Sequence, residues 1–296
     1  MKFIIKLIDL KKDSVGIGGG KASNLGELMR GGFPVPDGFC VNSEGFRFYI
    51  RHNHLENAIT QIAEAAKNEN REALHTQIAK LKASIVNGRY PNELRNEILE
   101  AFADISDEKR LAIRSSATAE DLKDASFAGQ QETYLGVKGK ENLLQAIQKC
   151  FASLYEERAV IYRERMGYHT ADAALAVVVQ EMIDSETAGV IFTENPVNQN
   201  ADEMMINASY GLGESVVSGK VTPDIYICGK ENAEIRSKTA GTKECISTIT
   251  EVITKTKIRE KLVPKKQIRR IWEPITLAEC IMQKEKHPKK QKIIFN

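Results

Sequence analysis

The stretch from Leu111 to Thr133 constrains the fold of this chain more than any other. It begins with an apolar run, Leu111–Ile113, that is typical of a β-strand and ends at Arg114. The residues that follow are nearly all small, hydroxylated or acidic, so they cannot supply the large side chains of a core. Backbone amides and hydroxyls in such loops bind anions, and an arginine adds a forked, permanently charged donor. The stretch therefore predicts a phosphate-binding loop after a strand, with an ordinary solvent loop as the alternative.

A glycine cluster between positions 16 and 20 is a second candidate phosphate site. It gives way to Leu25 and Leu28 at helical spacing, so the pattern predicts a loop that leads into the N-terminus of a helix. Unpaired amides at such a junction attract an anion, and Lys21 adds a mobile positive charge. The stretch is not a Walker A loop, because Val15 and Ala22 stand where that motif needs glycine and a hydroxyl residue. A tight turn without a ligand is the alternative.

The remaining pattern mixes helices and strands. Helical periodicity covers about residues 43–105, and a second apolar spacing, from Leu143 to Tyr162, predicts one long helix that ends near Gly167. Two β-rich runs, residues 175–183 and 188–193, predict an antiparallel hairpin. Gln180 interrupts the first run, and its amide needs partners, either an adenine edge or neighbouring backbone. Strands and helices that do not alternate strictly indicate the α+β class.

Composition and charge narrow the functional classes. Hydrophobic residues make up 42% and charged residues 28% of the chain, and no apolar run approaches the ~18 residues of a membrane span. The five cysteines are scattered and the histidines lack zinc-ligand spacing, so we expect reduced cysteines, no structural metal site and a cytoplasmic location. Residues 255–296 carry thirteen Lys and Arg against four Asp and Glu, a net charge of +9. We expect a solvated end rather than a nucleic-acid contact, because few aromatic residues accompany this charge.

Five short motifs, read together, resemble a known family. They occur in the order Gly19–Glu27, Ile113–Leu122, Ala125–Gln130, Phe192–Pro196 and Ala208–Glu214. The set is similar to the N-terminal ATP-binding domain of phosphoenolpyruvate synthases (pyruvate, water dikinases). Rifampicin phosphotransferases and pyruvate phosphate dikinases share this domain. The resemblance covers about residues 10–230.

The resemblance implies an ATP-grasp-like, two-lobed nucleotide-binding domain that closes on Mg-ATP. Residues 1–190 would form the first lobe, with a helical insertion at about 43–105. Residues 191–254 would form a second, incomplete lobe. Residues 255–296 would be a basic tail that diverges from the family or results from truncation or a frameshift.

The resemblance also assigns roles to individual residues. It implies that phosphates are held by Lys21, Arg114, Gly129 and Thr133, and that the adenine side is contacted by Gln180, Met182 and Ile183. Lys21 and Arg114 would also be catalytic, because phosphoryl transfer requires neutralisation of negative charge. The cofactors implied are ATP and Mg²⁺. The family's acidic magnesium-binding strand and its second arginine motif are not found, so the metal ligands stay unassigned.

The implied activity is that of a kinase or phosphotransferase. ATP would donate its β-phosphoryl group to a carrier histidine on a separate domain, which would deliver it to pyruvate. Neither the carrier motif nor the pyruvate-binding domain is found in this sequence, so we expect an incomplete dikinase. The N-terminal part of a rifampicin phosphotransferase and a non-catalytic, truncated nucleotide-binding protein are the alternatives.

Overall fold

A computed structural model describes residues 2–68, 71–105, 108–118, 121–122, 125–126, 132–252, 255–262 and 292–295. The chain divides into two compact units, Met1–Met182 and Ile183–Asn296. Each unit has its own sheet and its own hydrophobic core. From the sequence, the first lobe is expected to extend to residue 190.

The first unit combines strands with helices. Its described strands are β1 (Ile4–Lys6), β2 (Gly38–Val41), β3 (Leu111–Ala117), β4 (Asp121–Leu122), β5 (Ala125–Ser126), β6 (Thr133–Val137) and β7 (Leu175–Glu181). Its described helices are α1 (Val15–Arg30), α2 (Ser43–His52), α3 (Glu56–Lys67), α4 (Arg71–Val86), α5 (Asn92–Ile105), α6 (Lys140–Ser153) and α7 (Glu157–Arg165). The helices α2 to α5 occupy the stretch for which helical periodicity was found.

The main sheet of the first unit has the order β1-β2-β7-β3-β6, and all its neighbouring strands are antiparallel. The central strand β7 is apolar over most of its length because both of its faces are covered. Val177 and Val179 belong to the large core under the helices, whereas Ala176 and Val178 belong to a second cluster that includes Ala22 of α1. The two-residue period of a strand thus divides β7 between two cores.

The second unit is largely β-structure. Its described elements are β8 (Thr187–Phe192), β9 (Glu203–Tyr210), the short helix α8 (Glu214–Val217), β10 (Asp224–Gly229), β11 (Ile235–Thr239), β12 (Cys245–Val252), β13 (Lys255–Leu262) and β14 (Lys292–Phe295). The main sheet has the antiparallel order β11-β10-β9-β8-β14, and β12 pairs with β13. Mixed helices and antiparallel sheets agree with the α+β class.

A buried ion pair lies in the second unit. Lys243 pairs with Asp224 at the start of β10, and both side chains are almost fully buried. The Lys243 ammonium also donates to the carbonyl oxygen of Gly241 at 3.1 Å, while the Gly241 amide donates to Asp224 at 2.8 Å. Because each charge is matched by a partner and by backbone hydrogen bonds, the pair satisfies the polar groups that it buries.

Two predictions from periodicity are wrong. The runs at 175–183 and 188–193 do not form a hairpin, because β7 lies in the sheet of the first unit and β8 in that of the second. The single long helix predicted from Leu143 to near Gly167 is two helices, α6 and α7, separated at residues 154–156. The guanidinium of Arg163 donates to the carbonyl oxygen of Leu154 at 2.6 Å, so a side chain of α7 satisfies a carbonyl at this break. Within the described residues, no helix is long and apolar enough to cross a membrane.

We predict that Phe151→Ala strongly destabilises the protein. Phe151 is fully buried, and its ring centroid lies 5.3 Å from that of Phe46 and 5.4 Å from that of Tyr49. Loss of this ring should lower the free energy of unfolding by about 3–5 kcal/mol, measured by urea denaturation. Met166→Ala is the control, because Met166 is 43% exposed and its truncation should cost less than about 0.5 kcal/mol. Equal losses for the two variants would contradict the proposed core.

Candidate functional site

One face of the main sheet in the first unit collects several of the candidate residues. Arg114 on β3 lies opposite Thr133 on β6 and opposite Val178 on β7. Gln180 lies two residues beyond Val178 on β7. Directly opposite residues of antiparallel strands share a face, as do residues two apart on one strand. Arg114, Thr133 and Gln180 therefore share the face on which Ala22 of α1 packs.

The helix α1 is interrupted where it meets this face. Gly19 has φ 74° and ψ 170°, a conformation that divides α1 into two helical parts. A Cβ atom at Gly19 would overlap the backbone carbonyl and the hydroxyl of Ser116 on β3. The predicted glycine-rich loop is thus wrong in form: the stretch is helical on both sides of Gly19, and glycine is required there by the contact with β3. The second part of α1 begins beside this contact, with Lys21 in its first turn.

The hydroxyl of Ser116 satisfies one backbone donor of that first turn. Its Oγ accepts a hydrogen bond from the amide of Ala22 at 3.2 Å, and both residues are fully buried. The early amides of a helix have no partner within the helix and need one from outside. Sequence reasoning missed Ser116 because the only local signal was its membership of a run of small residues. The partner on α1 lies 94 residues away along the chain.

The apolar pattern predicts that the strand ends at Arg114. This prediction is wrong, because Arg114 lies in the middle of β3. It is partly buried, forms no ion pair with any described residue, and its Nε–H has no hydrogen-bond partner among them. Burial lowers the pKa of its guanidinium below the ordinary value. A desolvated charge without a counter-ion is costly, so Arg114 is a group that an anionic ligand would stabilise.

Gln180 is held by the backbone. It is 5% exposed, and its Nε2 donates to the carbonyl oxygen of Pro36 at 3.0 Å. At the next residue, the amide of Glu181 donates to the carbonyl oxygen of Asp37 at 2.8 Å. Of the two partners considered for this glutamine, the backbone is thus the one that accepts from its amide nitrogen. Its contact with adenine stays a prediction.

The remaining candidates differ in their surroundings. Met182 is buried, and its sulfur accepts a hydrogen bond from the amide of Gly136 at 3.0 Å. Thr133 is exposed at the start of β6. Ile183 is 42% exposed and is the first residue of the second unit. Gly129 lies outside the described residues.

Besides Ser116 on β3, a buried serine lies in the second part of α1. Ser23 is 1% exposed, and its hydroxyl has no hydrogen-bond partner among the described residues. Sequence reasoning did not select Ser23, because a serine in a helical repeat carries no signal of burial. Its unsatisfied hydroxyl and the unsatisfied Nε–H of Arg114 are two polar atoms for which a polar ligand would be a partner.

Metal ligands are not apparent in the described part of the chain. It contains no group of three or more His, Cys, Asp or Glu side chains placed to hold a metal ion. The nearest acid along β7, Glu181, is paired with Lys109 at 2.7 Å.

Comparisons with known proteins identify the family. A family model described as the pyruvate phosphate dikinase AMP/ATP-binding domain matches residues 15–290. The chain belongs to this family. The resemblance inferred from the five motifs is confirmed, and the match extends well beyond residue 230, through most of the basic C-terminal segment.

Curated relatives carry the names of phosphoenolpyruvate synthases. A probable phosphoenolpyruvate synthase of Methanocaldococcus jannaschii is 45% identical over 249 residues, which is 82% of this chain and 21% of the relative. The phosphoenolpyruvate synthase of Pyrococcus furiosus is 38% identical over 82% of this chain and 34% of its own length. A probable phosphoenolpyruvate synthase of Archaeoglobus fulgidus is 37% identical over 94% of this chain and 38% of its own length. The chain thus spans about a fifth to two fifths of these relatives.

We predict that Gly19→Ala destabilises the protein. The left-handed conformation and the overlap with Ser116 should together cost at least about 2 kcal/mol of unfolding free energy, measured by urea denaturation. Gly16→Ala on the same helix is the matched control, because nothing lies within 4 Å of a Cβ at Gly16. That change should be neutral or stabilising by up to about 1 kcal/mol. A neutral Gly19→Ala variant would show that the break in α1 is not required.

Proposed function

We propose that this chain binds Mg-ATP and donates the β-phosphoryl group to a histidine on a separate domain, as the nucleotide-binding part of a phosphoenolpyruvate synthase. The carrier histidine would then phosphorylate pyruvate. The observation that carries this proposal is the buried guanidinium of Arg114, which has no ion-pair partner among the described residues, on the sheet face that α1 covers in a chain of the AMP/ATP-binding domain family. The names of the relatives favour pyruvate over rifampicin as the final acceptor.

The phosphates would be held by groups that approach from two elements. Arg114 on β3 offers a planar fork that suits two phosphate oxygens, and Thr133 on the neighbouring strand adds a hydroxyl. Lys21 lies in the first turn of the second part of α1, where the helix dipole also favours negative charge. Gly129 would contribute its backbone amide. Together these groups would neutralise the charge that develops on the transferred phosphoryl group.

The base would lie at the C-terminal end of β7. The hydrogen bond from the Gln180 amide nitrogen to the carbonyl oxygen of Pro36 fixes the direction of the glutamine side chain. The side-chain oxygen of Gln180 would then accept from an adenine amino group. Residues 181–183 would line the base, with Met182 contributing an apolar, polarisable side chain. We propose that this arrangement corresponds to one lobe of an ATP-grasp-like site.

Magnesium would reach the site as part of the nucleotide complex. Protein-bound Mg²⁺ commonly keeps several waters and uses one or two carboxylates together with substrate phosphates. The donors described here therefore suit the phosphates of Mg-ATP, and they do not identify the protein ligands of the ion.

We predict that Arg114→Ala weakens ATP binding. Loss of a charge-assisted, two-pronged contact should raise the Kd about 10- to 100-fold, measured by titration calorimetry with Mg-ATP. Arg51→Ala is the matched control, because Arg51 is an exposed arginine of α2 outside this face, and its Kd should match the wild type. Arg114→Lys keeps the charge but loses the fork, so its Kd should lie between the two. Equal affinity in wild type and Arg114→Ala would refute the assigned site.

A second prediction concerns turnover. The purified 296-residue chain, given Mg-ATP and pyruvate, should form no phosphoenolpyruvate, because the carrier motif is not found in its sequence. Phosphorus NMR of the reaction mixture would measure this directly, with a phosphoenolpyruvate synthase of full length as the positive control. Net phosphoenolpyruvate formation by this chain alone would overturn the proposed division of labour.

A further inference from the structure

We infer that Ser116 is a positioning residue that fixes the Lys21 end of α1 against the Arg114 strand. This inference rests on the proposed function, since it concerns how two positive side chains are directed at one anionic ligand. Ser116 itself is fully buried, and no contact with the nucleotide is assigned to it. Its action would pass through the helix.

The first observation is an unusual source of a helix cap. An N-terminal turn is normally capped by the side chain of the residue that precedes it. The residue that precedes the second part of α1 is Gly19, which has no side chain. The missing acceptor is supplied by the hydroxyl of Ser116, which accepts from the amide of Ala22 at 3.2 Å. The cap of this helix therefore belongs to the strand that carries Arg114.

The second observation is the shape of the contact. The backbone of Gly19 lies so close to Ser116 that any Cβ at position 19 would overlap the serine carbonyl and hydroxyl. Backbone and hydroxyl together thus set the separation between α1 and β3. A contact between two backbones leaves less freedom than one between long side chains, because few rotamers are involved.

The consequence concerns the relative placement of two charges. Lys21 precedes Ala22 on the helix, and Arg114 lies two residues before Ser116 on the strand and shares its face. The hydrogen bond between Ala22 and Ser116 is therefore a direct link between the chain segments that carry the two cations. Removing the hydroxyl should loosen the first turn of the helix, and so misplace Lys21 while leaving its charge intact.

The experiment is a double-mutant cycle measured as the Kd for Mg-ATP. Ser116→Ala should raise the Kd about 3- to 10-fold, in keeping with the loss of one cap hydrogen bond. In a Lys21→Met background the same change should have no further effect, about 1.5-fold at most, because the residue through which it acts is gone. Ser116→Cys keeps most of the volume but offers a weak acceptor, so it should also raise the Kd, and it serves if Ser116→Ala does not fold.

Ser43→Ala is the matched control. Ser43 is also a buried serine bonded to α1, but its hydroxyl donates to the carbonyl oxygen of Gly16 at 3.1 Å, before the break at Gly19. It should cost similar stability in urea denaturation and leave the Kd unchanged. This comparison separates a positioning role from a general loss of stability.

The outcomes separate the two claims. If the wild-type chain binds Mg-ATP and the effects of Ser116→Ala and Lys21→Met on the Kd are additive, the positioning role is overturned. The proposed function is then left standing. An equal rise in Kd for Ser43→Ala would overturn the positioning role in the same way. Absence of Mg-ATP binding by the wild-type chain would overturn the proposed function and, with it, this inference.

Discussion

The burial of β7 on both faces is the constraint on which the first unit depends. Leu175, Val177 and Val179 pack into the core under the helices, whereas Ala176 and Val178 face α1. A strand covered on two sides is apolar over most of its length, and its neighbours must present the same faces in register. The register then places β3 so that Arg114 lies opposite Val178, on the α1 face.

Small side chains decide how closely α1 approaches that face. Ala176, Ala22 and Cys40 occupy the cluster beneath the helix, and Gly26 has no room for a Cβ because the carbonyl oxygens of Leu7 and Leu10 lie against it. Close packing of this kind brings the backbone of the helix within reach of a serine on the sheet. The Gly19–Ser116 contact is thus a consequence of the small-residue interface. The nucleotide site is proposed at the same place because the helix start contacts the strand that carries Arg114.

Sequence reasoning succeeded where the signal was local and failed where it depended on distant partners. The motifs identified the family, and periodicity predicted the helical stretch that α2 to α5 occupy and the strand character of β7 and β8. The hairpin between β7 and β8 was wrong because strand propensity carries no information on which sheet a strand joins. The strand β3 was predicted to end at Arg114 because its small residues lack an apolar pattern. Its true extent is set by pairing with β7 along its whole length.

The site residues divide in the same way. Lys21 and Arg114 were selected as candidates from residue type and motif, since charge beside small residues is readable in a sequence, and their roles stay predictions. Ser116 and Ser23 were not found, because burial and hydrogen bonding depend on a neighbour brought in by the fold. The conformation of Gly19 could not be predicted from the sequence either, because it is required by a contact with β3 and not by the residues beside it in the chain.

In the proposed site, folding stability and ligand binding would oppose each other at Arg114. A carboxylate beside this guanidinium would compensate a desolvated charge and stabilise the folded chain. The same carboxylate would compete with a phosphate for the fork and would repel it. Among the described residues, Arg114 has no ionic partner. In the proposed site, a guanidinium without an ionic partner among the described residues would sacrifice stability for anion affinity, as expected where function and not packing determines the residue.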